Sequence, residues 1–273
     1  MKAIIKSKVA NLHAEPNSKS ELIDEGLYGM VVEIVKQREN DWVYVKTPYQ
    51  YEGFCRIEDL LFDPQKVDTW QKEAASIIYQ GFADILLKPK IQSSKLATLV
   101  RGSIIKVLPN EKINKEWSMI QLATGEVGYT RSQWIGEKLE FNGVLEEDFR
   151  NRVVQTALSY LTTPYRWGGK SPLGIDCSGL CSMAYMLNGV VIYRDAKIVD
   201  RFPIKEINIE HIQKGDLLYF PGHIAMYMGD DLYVHSSLGG NEVSINSLNK
   251  NHINYREDLA TTITAVGSLF PAK

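Results

Sequence analysis

Several features are scarce in this 273-residue chain, and each absence excludes something. Cysteine occurs at three positions, Cys55, Cys177 and Cys181, and an odd number argues against a disulfide framework. Long apolar runs are absent, so no segment reads as a membrane span. Charge imbalance is nearly absent too: a formal net charge of −2 gives no pull towards nucleic acid or an anionic surface. The first residues, Met1-Lys2-Ala3-Ile4-Ile5-Lys6-Ser7-Lys8-Val9, lack the apolar core and small-residue cleavage site of a signal peptide. The expected location is therefore cytoplasmic, or secreted or periplasmic if a leader has been removed. What remains is an ordinary globular composition, 44% hydrophobic and 23% charged, in a length that fits one to three domains. Cys55 and Cys181 read as plain buried residues, since cysteine is among the most buried types.

The N-terminal half repeats itself. Leu12, Pro16, Gly29, Val31, Val32 and Ile34 return 73 positions later as Ile85, Pro89, Gly102, Ile104, Ile105 and Val107. Trp42, Val45, Gly53 and Phe54 return 75 positions later as Trp117, Ile120, Gly128 and Tyr129, which places a two-residue insertion between Val107 and Trp117. Each unit reads as short alternating strands broken by Pro, Gly, Asn and Asp, a pattern that suggests a small barrel. A repeat of two units is a duplication and not a solenoid. Asp63-Pro64 ends the first unit, and residues 65–77 read as a short helical connector. The expected division is 1–62 and 81–138 for the two barrels, 63–80 for the connector, and 139–273 for a third domain of different texture.

In that third domain, Phe149, Val153, Ala157 and Leu161 give a helical period from Glu146 to Leu161, closed by Thr162-Thr163-Pro164. The loop Tyr165-Arg166-Trp167-Gly168-Gly169 follows, and then Asp176-Cys177-Ser178-Gly179 heads an apolar run, 180–187, with the pattern of a buried helix. After Lys214-Gly215-Asp216 come three strand-like runs, 217–220, 223–228 and 232–235. Helices first and an antiparallel sheet afterwards make an α+β domain.

A cysteine in the first turn of a helix faces unpaired N–H groups and the positive end of the helix dipole, and both favour the nucleophilic thiolate. Asp176 and Ser178 are polar company unlike a core, and Gly179 is read as keeping the first turn open to a substrate backbone. A nucleophile needs a base and an orienting group. Ile224, Met226 and Met228 share one strand face, and His223, Ala225 and Tyr227 the other, where the small Ala225 would admit the cysteine helix. The turn Gly229-Asp230-Asp231, centred near residues 229–230, makes His223 and His235 close to cross-strand partners, within hydrogen-bonding reach. Thiol catalysis ranks above a metal pair, because no compact zinc-ligand pattern accompanies the histidines, and a metal pair ranks above an inert core. No metal or other cofactor is expected.

These motifs carry two resemblances. The repeat, with its Asn11-Leu12-His13-Ala14-Glu15-Pro16 opening, mid-unit glycine, tryptophan and closing Gly53-Phe54 or Gly128-Tyr129, resembles bacterial SH3-like (SH3b) domains. Residues 148–270 resemble the NlpC/P60 family of papain-like cysteine peptidases, through Pro164–Gly169, Asp176–Gly179, 215–220, His223–Gly229 and 233–236. The second resemblance implies a triad in which Cys177 is the nucleophile, His223 the base and His235 the third member. One departure is the very short link from Phe220 to His223. Tandem SH3b units before this domain resemble γ-D-glutamyl-L-diamino acid endopeptidases of murein-peptide recycling. That implies a cell-wall tri- or tetrapeptide substrate with a free N-terminal L-alanine. It also implies a first SH3b unit that closes one end of the cleft, and acidic and tyrosine residues that bind the free amine. Asp176 matches the aspartate of that amine site directly, and Glu15 and Tyr51 are the nearest matches in the first unit, with Tyr49 a rival by register. Glu15 is not a demand of the barrel, since its counterpart in the second unit is Lys88, and a solvated loop charge stands beside the binding role. Tyr165 and Trp167 would line the pocket, with Ser178 on the substrate's carboxylate or backbone. A secreted endopeptidase acting on polymeric wall and a non-catalytic wall-peptide binder are the alternatives. No nucleic-acid partner is expected, and the chain is taken as a monomer.

Overall fold

The two repeated stretches fold into two sheets with the same strand order. The structure is a computed structural model that describes residues 1–37, 40–109 and 115–271. Among these residues the first sheet comprises β1 (Lys2–Ile5), β2 (Val9–His13), β3 (Leu22–Leu27), β4 (Val31–Gln37), β5 (Trp42–Lys46), β6 (Glu52–Arg56) and β7 (Leu60–Leu61). Helix α1 (Pro64–Glu73) follows, and then β8 (Ser76–Ile78), β9 (Phe82–Leu86), β10 (Lys95–Val100), β11 (Ile104–Leu108), β12 (Trp117–Gln121), β13 (Val127–Arg131) and β14 (Ile135–Glu137). The orders are β3-β2-β6-β5-β4-β1-β7 and β10-β9-β13-β12-β11-β8-β14, identical once β1 is matched to β8 and so on. The repeated glycines have a physical reason: Gly29 and Gly102 hold φ of 79° and 89°, in the left-handed region that a side chain disfavours. A second repeated device is the pairing of Trp42 with Arg56 and Trp117 with Arg131 across neighbouring strands, each guanidinium lying over its indole. The insertion expected between Val107 and Trp117 falls partly on residues 110–114, which lie outside the described residues.

The connector is shorter than its sequence suggested. Asp63 caps α1 by accepting from the Lys66 N–H, Pro64 occupies the first turn, and the helix stops at Glu73. Ser76–Ile78 then joins the second sheet, pairing with β11 and β14. Three residues are too few to display an alternating pattern, which is why this strand was read as connector. Val67 and Trp70, three apart on one face of α1, are buried in a core that also takes Ile4 of β1 and Tyr28 of the β3–β4 turn, and Ile78, Ile85, Ile105 and Ile120 from the second sheet. The Trp70 indole N–H donates to the Gly29 carbonyl at 2.9 Å, and the Ala123 N–H donates to the Tyr28 hydroxyl at 2.7 Å. Residues 1–138 therefore form one compact unit, and residues 139–273 a second.

The second unit contains α2 (Glu146–Leu158), the short pair β15 (Lys170–Ser171) and β16 (Gly174–Ile175), and α3 (Cys177–Met186). After them come β17 (Lys205–Ile207), β18 (Leu217–Phe220), β19 (His223–Gly229), β20 (Leu232–Ser237), β21 (Glu242–Ser247), α4 (Glu257–Ala260) and β22 (Ala265–Ser268). Helix α2 ends three residues earlier than its apolar period implied: Ser159 N–H bonds tighten the last turn, and Thr162 adopts a φ of 65° that turns the chain away. The sheet has six strands among the described residues, in the order β17-β22-β18-β19-β20-β21, all antiparallel. Three were legible in the sequence. No helix among the described residues is long and apolar enough to cross a membrane.

Candidate active site

Helix α3 begins where the chain stops being extended. Asp176, at φ −92° and ψ 179°, is its N-cap, and one carboxylate oxygen accepts from the Gly179 N–H at 2.6 Å. The other accepts from the Gly168 N–H at 2.8 Å, so the same side chain ties the Trp167-Gly168-Gly169 loop to the helix start. Gly179 is required by this closeness: a Cβ there would lie 2.2 Å from the Gly169 carbonyl oxygen.

Arg194 completes the cluster. It is 1% exposed and forks onto Asp176 with two contacts of 3.1 Å, while donating to Ser178 Oγ at 2.7 Å. Ser178 in turn donates to Asp176 at 3.2 Å. Asp176 and Ser178, singled out in the sequence as substrate contacts, are thus both buried and both engaged in holding the helix start. Arg194 was missed by the sequence reading; its one signal is a charge directly after the apolar stretch 190–193.

Cys177 is the first residue of α3 and is buried. The backbone N–H groups of Ile224 and Ser178 lie close enough to its sulfur to favour the charged form, which sets it beside the peptide that follows His223. His223 Nε2 lies 2.8 Å from His235 Nδ1, the rings meeting edge to face, and His235 Nε2 lies 2.9 Å from Asn246 Oδ1. Two corrections to the hairpin follow. The ladder pairs Met226 with Val234 and Tyr227 with Tyr233 and shifts register before the tip, which sets His235 opposite Ala225 and makes His223 its diagonal neighbour on the same face. The turn residues are Asp230 and Asp231, at φ 53° and 60°, so the turn centre lies one place further along than its sequence implied. In addition, the face bearing Ala225 and the histidines also carries Phe220, Tyr227, Tyr233, Val266 and Ile207, and Ile212, Leu248, Leu259 and Ile263 pack against the cluster they form. Helix α3 meets the opposite face, where Cys181 lies near Tyr219 and Ser236 Oγ donates to the Ile175 carbonyl at 2.7 Å. Strand alternation separates two faces but does not say which one a helix will cover.

Burial governs the electrostatics. It pushes the Cys177 thiol up to about 11, with the Asp176 charge adding to the rise, and the two N–H groups and Arg194 do not offset them. The thiolate expected from the helix terminus is therefore not the resting form. Burial lowers His223 to about 3, helped by His235 and Arg256, and lowers His235 to about 4. At neutral pH the site holds a thiol and two neutral imidazoles. Tyr165 is half-buried within the fields of Cys177 and Asp176, and its phenol is raised to about 12, chiefly by burial, so it stays a neutral hydroxyl. Trp167, two residues along, is 58% exposed.

In the first unit, Glu15 lies on the exposed turn after β2. Its N–H meets Ser20 Oγ, and Lys88 makes the same contact with Ser93 in the second sheet, so one backbone turn carries an acid in one copy and a base in the other. Tyr49 is buried and donates to Asp24, which commits it to the core, whereas Tyr51 is half-buried.

Comparison with known proteins places these features in context. Residues 162–261 match the NlpC/P60 family model, and residues 8–60 match the bacterial SH3 domain model. A Lysinibacillus sphaericus protein named dipeptidyl-peptidase 6 is 60% identical over 271 residues, covering 99% of this chain and 100% of the relative. A γ-D-glutamyl-L-lysine dipeptidyl-peptidase of Bacillus cereus is 26% identical over 258 residues, covering 84% of this chain and 72% of the relative. The crystal structure of an NlpC/P60 family protein from Bacillus cereus matches the fold with a TM-score of 0.81 at 21% identity, covering 97% of this chain and 98% of that one.

Proposed function

The chain belongs to the NlpC/P60 family, and from that premise we propose that it hydrolyses the γ-D-glutamyl–L-diamino acid bond of cell-wall peptides with a free N-terminal L-alanine. The observation that carries this reading is the junction of the α3 start with β19: a cysteine sulfur close to the N–H of the residue after His223, whose ring is hydrogen-bonded to His235. The full-length similarity to a dipeptidyl-peptidase and the names of the other relatives supply the substrate class.

In this mechanism His223 takes the Cys177 proton as the sulfur attacks the γ-glutamyl carbonyl, so the ion pair forms during attack from a neutral pair. The Cys177 backbone N–H, at the helix start, donates to the developing oxyanion. His223 then protonates the departing amine of the diamino acid, and water releases the acyl group from sulfur. His235 holds His223 in the useful tautomer. Tyr165 and Trp167 line the substrate path, and Ser178 and Asp176 set its floor. In this reading Glu15 and Tyr51 bind the ammonium of L-alanine, and Asp176, whose charge Arg194 already pairs, contributes by holding the helix start. The second sheet, with the same strand order as the first, is a second SH3b domain in this reading. A cytoplasmic, monomeric enzyme that meets released peptides completes the proposal, and cell fractionation and light scattering test those two points.

The deciding experiment incubates the protein with L-Ala-γ-D-Glu-diaminopimelate, its lysine analogue, their N-acetyl derivatives and intact sacculi, with products identified by mass. Cleavage confined to the free-amine peptides is expected, with Cys177→Ala inactive. Release of fragments from sacculi at a comparable rate overturns the reading in favour of an enzyme of polymeric wall. Because Asp176 also holds Arg194, Glu15→Gln is the clean probe of amine recognition and should raise KM for free-amine peptides alone.

A further inference from the structure

Asn246 lies on β21, outside every motif that marked the site in the sequence, with its side chain held at both ends. Its Nδ2 donates to the Asn254 carbonyl at 2.8 Å, and its Oδ1 lies 2.9 Å from His235 Nε2. A carbonyl oxygen only accepts, so the amide orientation is settled: the amino group faces Asn254 and the oxygen faces His235. The same carbonyl accepts from the Ser247 N–H at 3.0 Å, so the anchor is part of the backbone framework.

We propose that Asn246 is a positioning residue of the proposed peptidase reaction, setting the tautomers of both histidines through a relay from Asn254 to Cys177. Asn246 Oδ1 offers only lone pairs, so His235 Nε2 carries its proton and donates. A neutral His235 then presents a bare Nδ1, which accepts from His223 Nε2 across 2.8 Å. That places the His223 proton on Nε2 and leaves its Nδ1 lone pair as the base for the thiol. Without the acceptor at 246, His235 is free to move its proton to Nδ1. His223 Nε2 would then have to accept, and its Nδ1 would carry a proton and cease to be a base. The charged and titratable groups around the pair are Tyr233 on β20, Arg256 at the N-cap of α4 and Asp258 in its first turn, and the Cys177 sulfur lies near the N–H of Ile224, the residue after His223. Glu242 on β21 pairs with Ser237, further along the strand from His235. Arg256 and Asp258 are paired bidentately with each other, so Asn246 is the neutral acceptor that directs the proton.

This inference rests on the peptidase reading above, and the test separates the two. In Cys177→Ala protein without substrate, nitrogen NMR should show both histidines protonated on Nε2, and Asn246→Leu should move the His235 proton to Nδ1. With the free-amine peptide, Asn246→Leu should lower kcat about tenfold with KM unchanged, the expected loss of one oriented hydrogen bond. Asn246→Asp should retain the plateau kcat and move the acid limb of kcat/KM upward by about one pH unit, because a carboxylate favours the imidazolium. A merely structural residue would alter melting temperature and leave the acid limb in place. Wild-type tautomers, kcat and acid limb in both variants overturn the relay, as does an Nδ1–H tautomer of His235 in the unsubstituted ring pair. If the peptide is not cleaved at all, the substrate reading fails while the tautomer result still decides the relay.

Discussion

At the scale of single residues, the site is a nucleophile kept neutral by burial and a carboxylate held in a fork by a buried guanidinium. The sequence showed the first member of each pair and hid what controls it. Cys177 was legible because its neighbours Asp176, Ser178 and Gly179 are contiguous, and a cap box is a local signal. Its suppressed ionisation was not, because desolvation depends on what the whole domain packs around the sulfur. Arg194 was illegible for the same reason: its partners lie 16 and 18 positions away. Replacing it with Met should destabilise the protein by about 3–5 kcal/mol, since Asp176 would be left buried and uncompensated. Urea unfolding measures this, and a loss below about 1 kcal/mol would show the pair to be dispensable. The histidines give a pH prediction of definite sign. Their folded pKa values, about 3 and about 4, lie below the unfolded value near 6.5. The unfolded chain therefore binds more protons, and stability present above pH 6.5 drains away as pH falls through that window, by about 1.4 kcal/mol per pH unit for each histidine. Chemical denaturation at pH 7, 6, 5 and 4 should show the fall, and His235→Asn should flatten it.

The elements tell a second story, in which contact patterns were read correctly in kind and incorrectly in register. The β19–β20 hairpin was evident from its turn residues and alternation, yet a single irregularity between Tyr227 and Gly229 displaced the partners. The histidines meet anyway, since same-face diagonal neighbours remain within reach of an imidazole. The opening of α3 shows an opposite case. Gly179 sits inside a helix, where Ala is intrinsically favoured by about 1 kcal/mol. Gly179→Ala should nonetheless destabilise by about 1–3 kcal/mol, because the new methyl group meets the Gly169 carbonyl oxygen and forces the Gly168 loop off Asp176. Thermal melting and kcat should fall together. A variant with higher stability and full activity would mean that the loop yields freely.

For the whole molecule, duplication was the most readable fact and the union of the duplicates the least. Ten positions recurring at two fixed offsets revealed both copies, because the tight turns and close strand contacts that demand Gly and Trp are felt twice. Nothing in the spacing of Val67 and Trp70 announced that the connector would supply a core common to both sheets. Trp70→Ala should cost about 3–5 kcal/mol and bring down the first and second sheets in a single transition. Tryptophan fluorescence and calorimetry should trace one event for residues 1–138, and two separate events would refute a common core.

That common core bears on how such a chain can change. A repeat born as two copies is ordinarily divisible, each copy open to loss, transfer or replacement. Here the helix that joins them carries an indole whose N–H is spent on the first copy while its ring lies in a core shared with the second. Either copy alone would expose an unfinished surface. The pair has become the smallest heritable piece, and any gene fusion that reuses this region must carry residues 1–138 as a block.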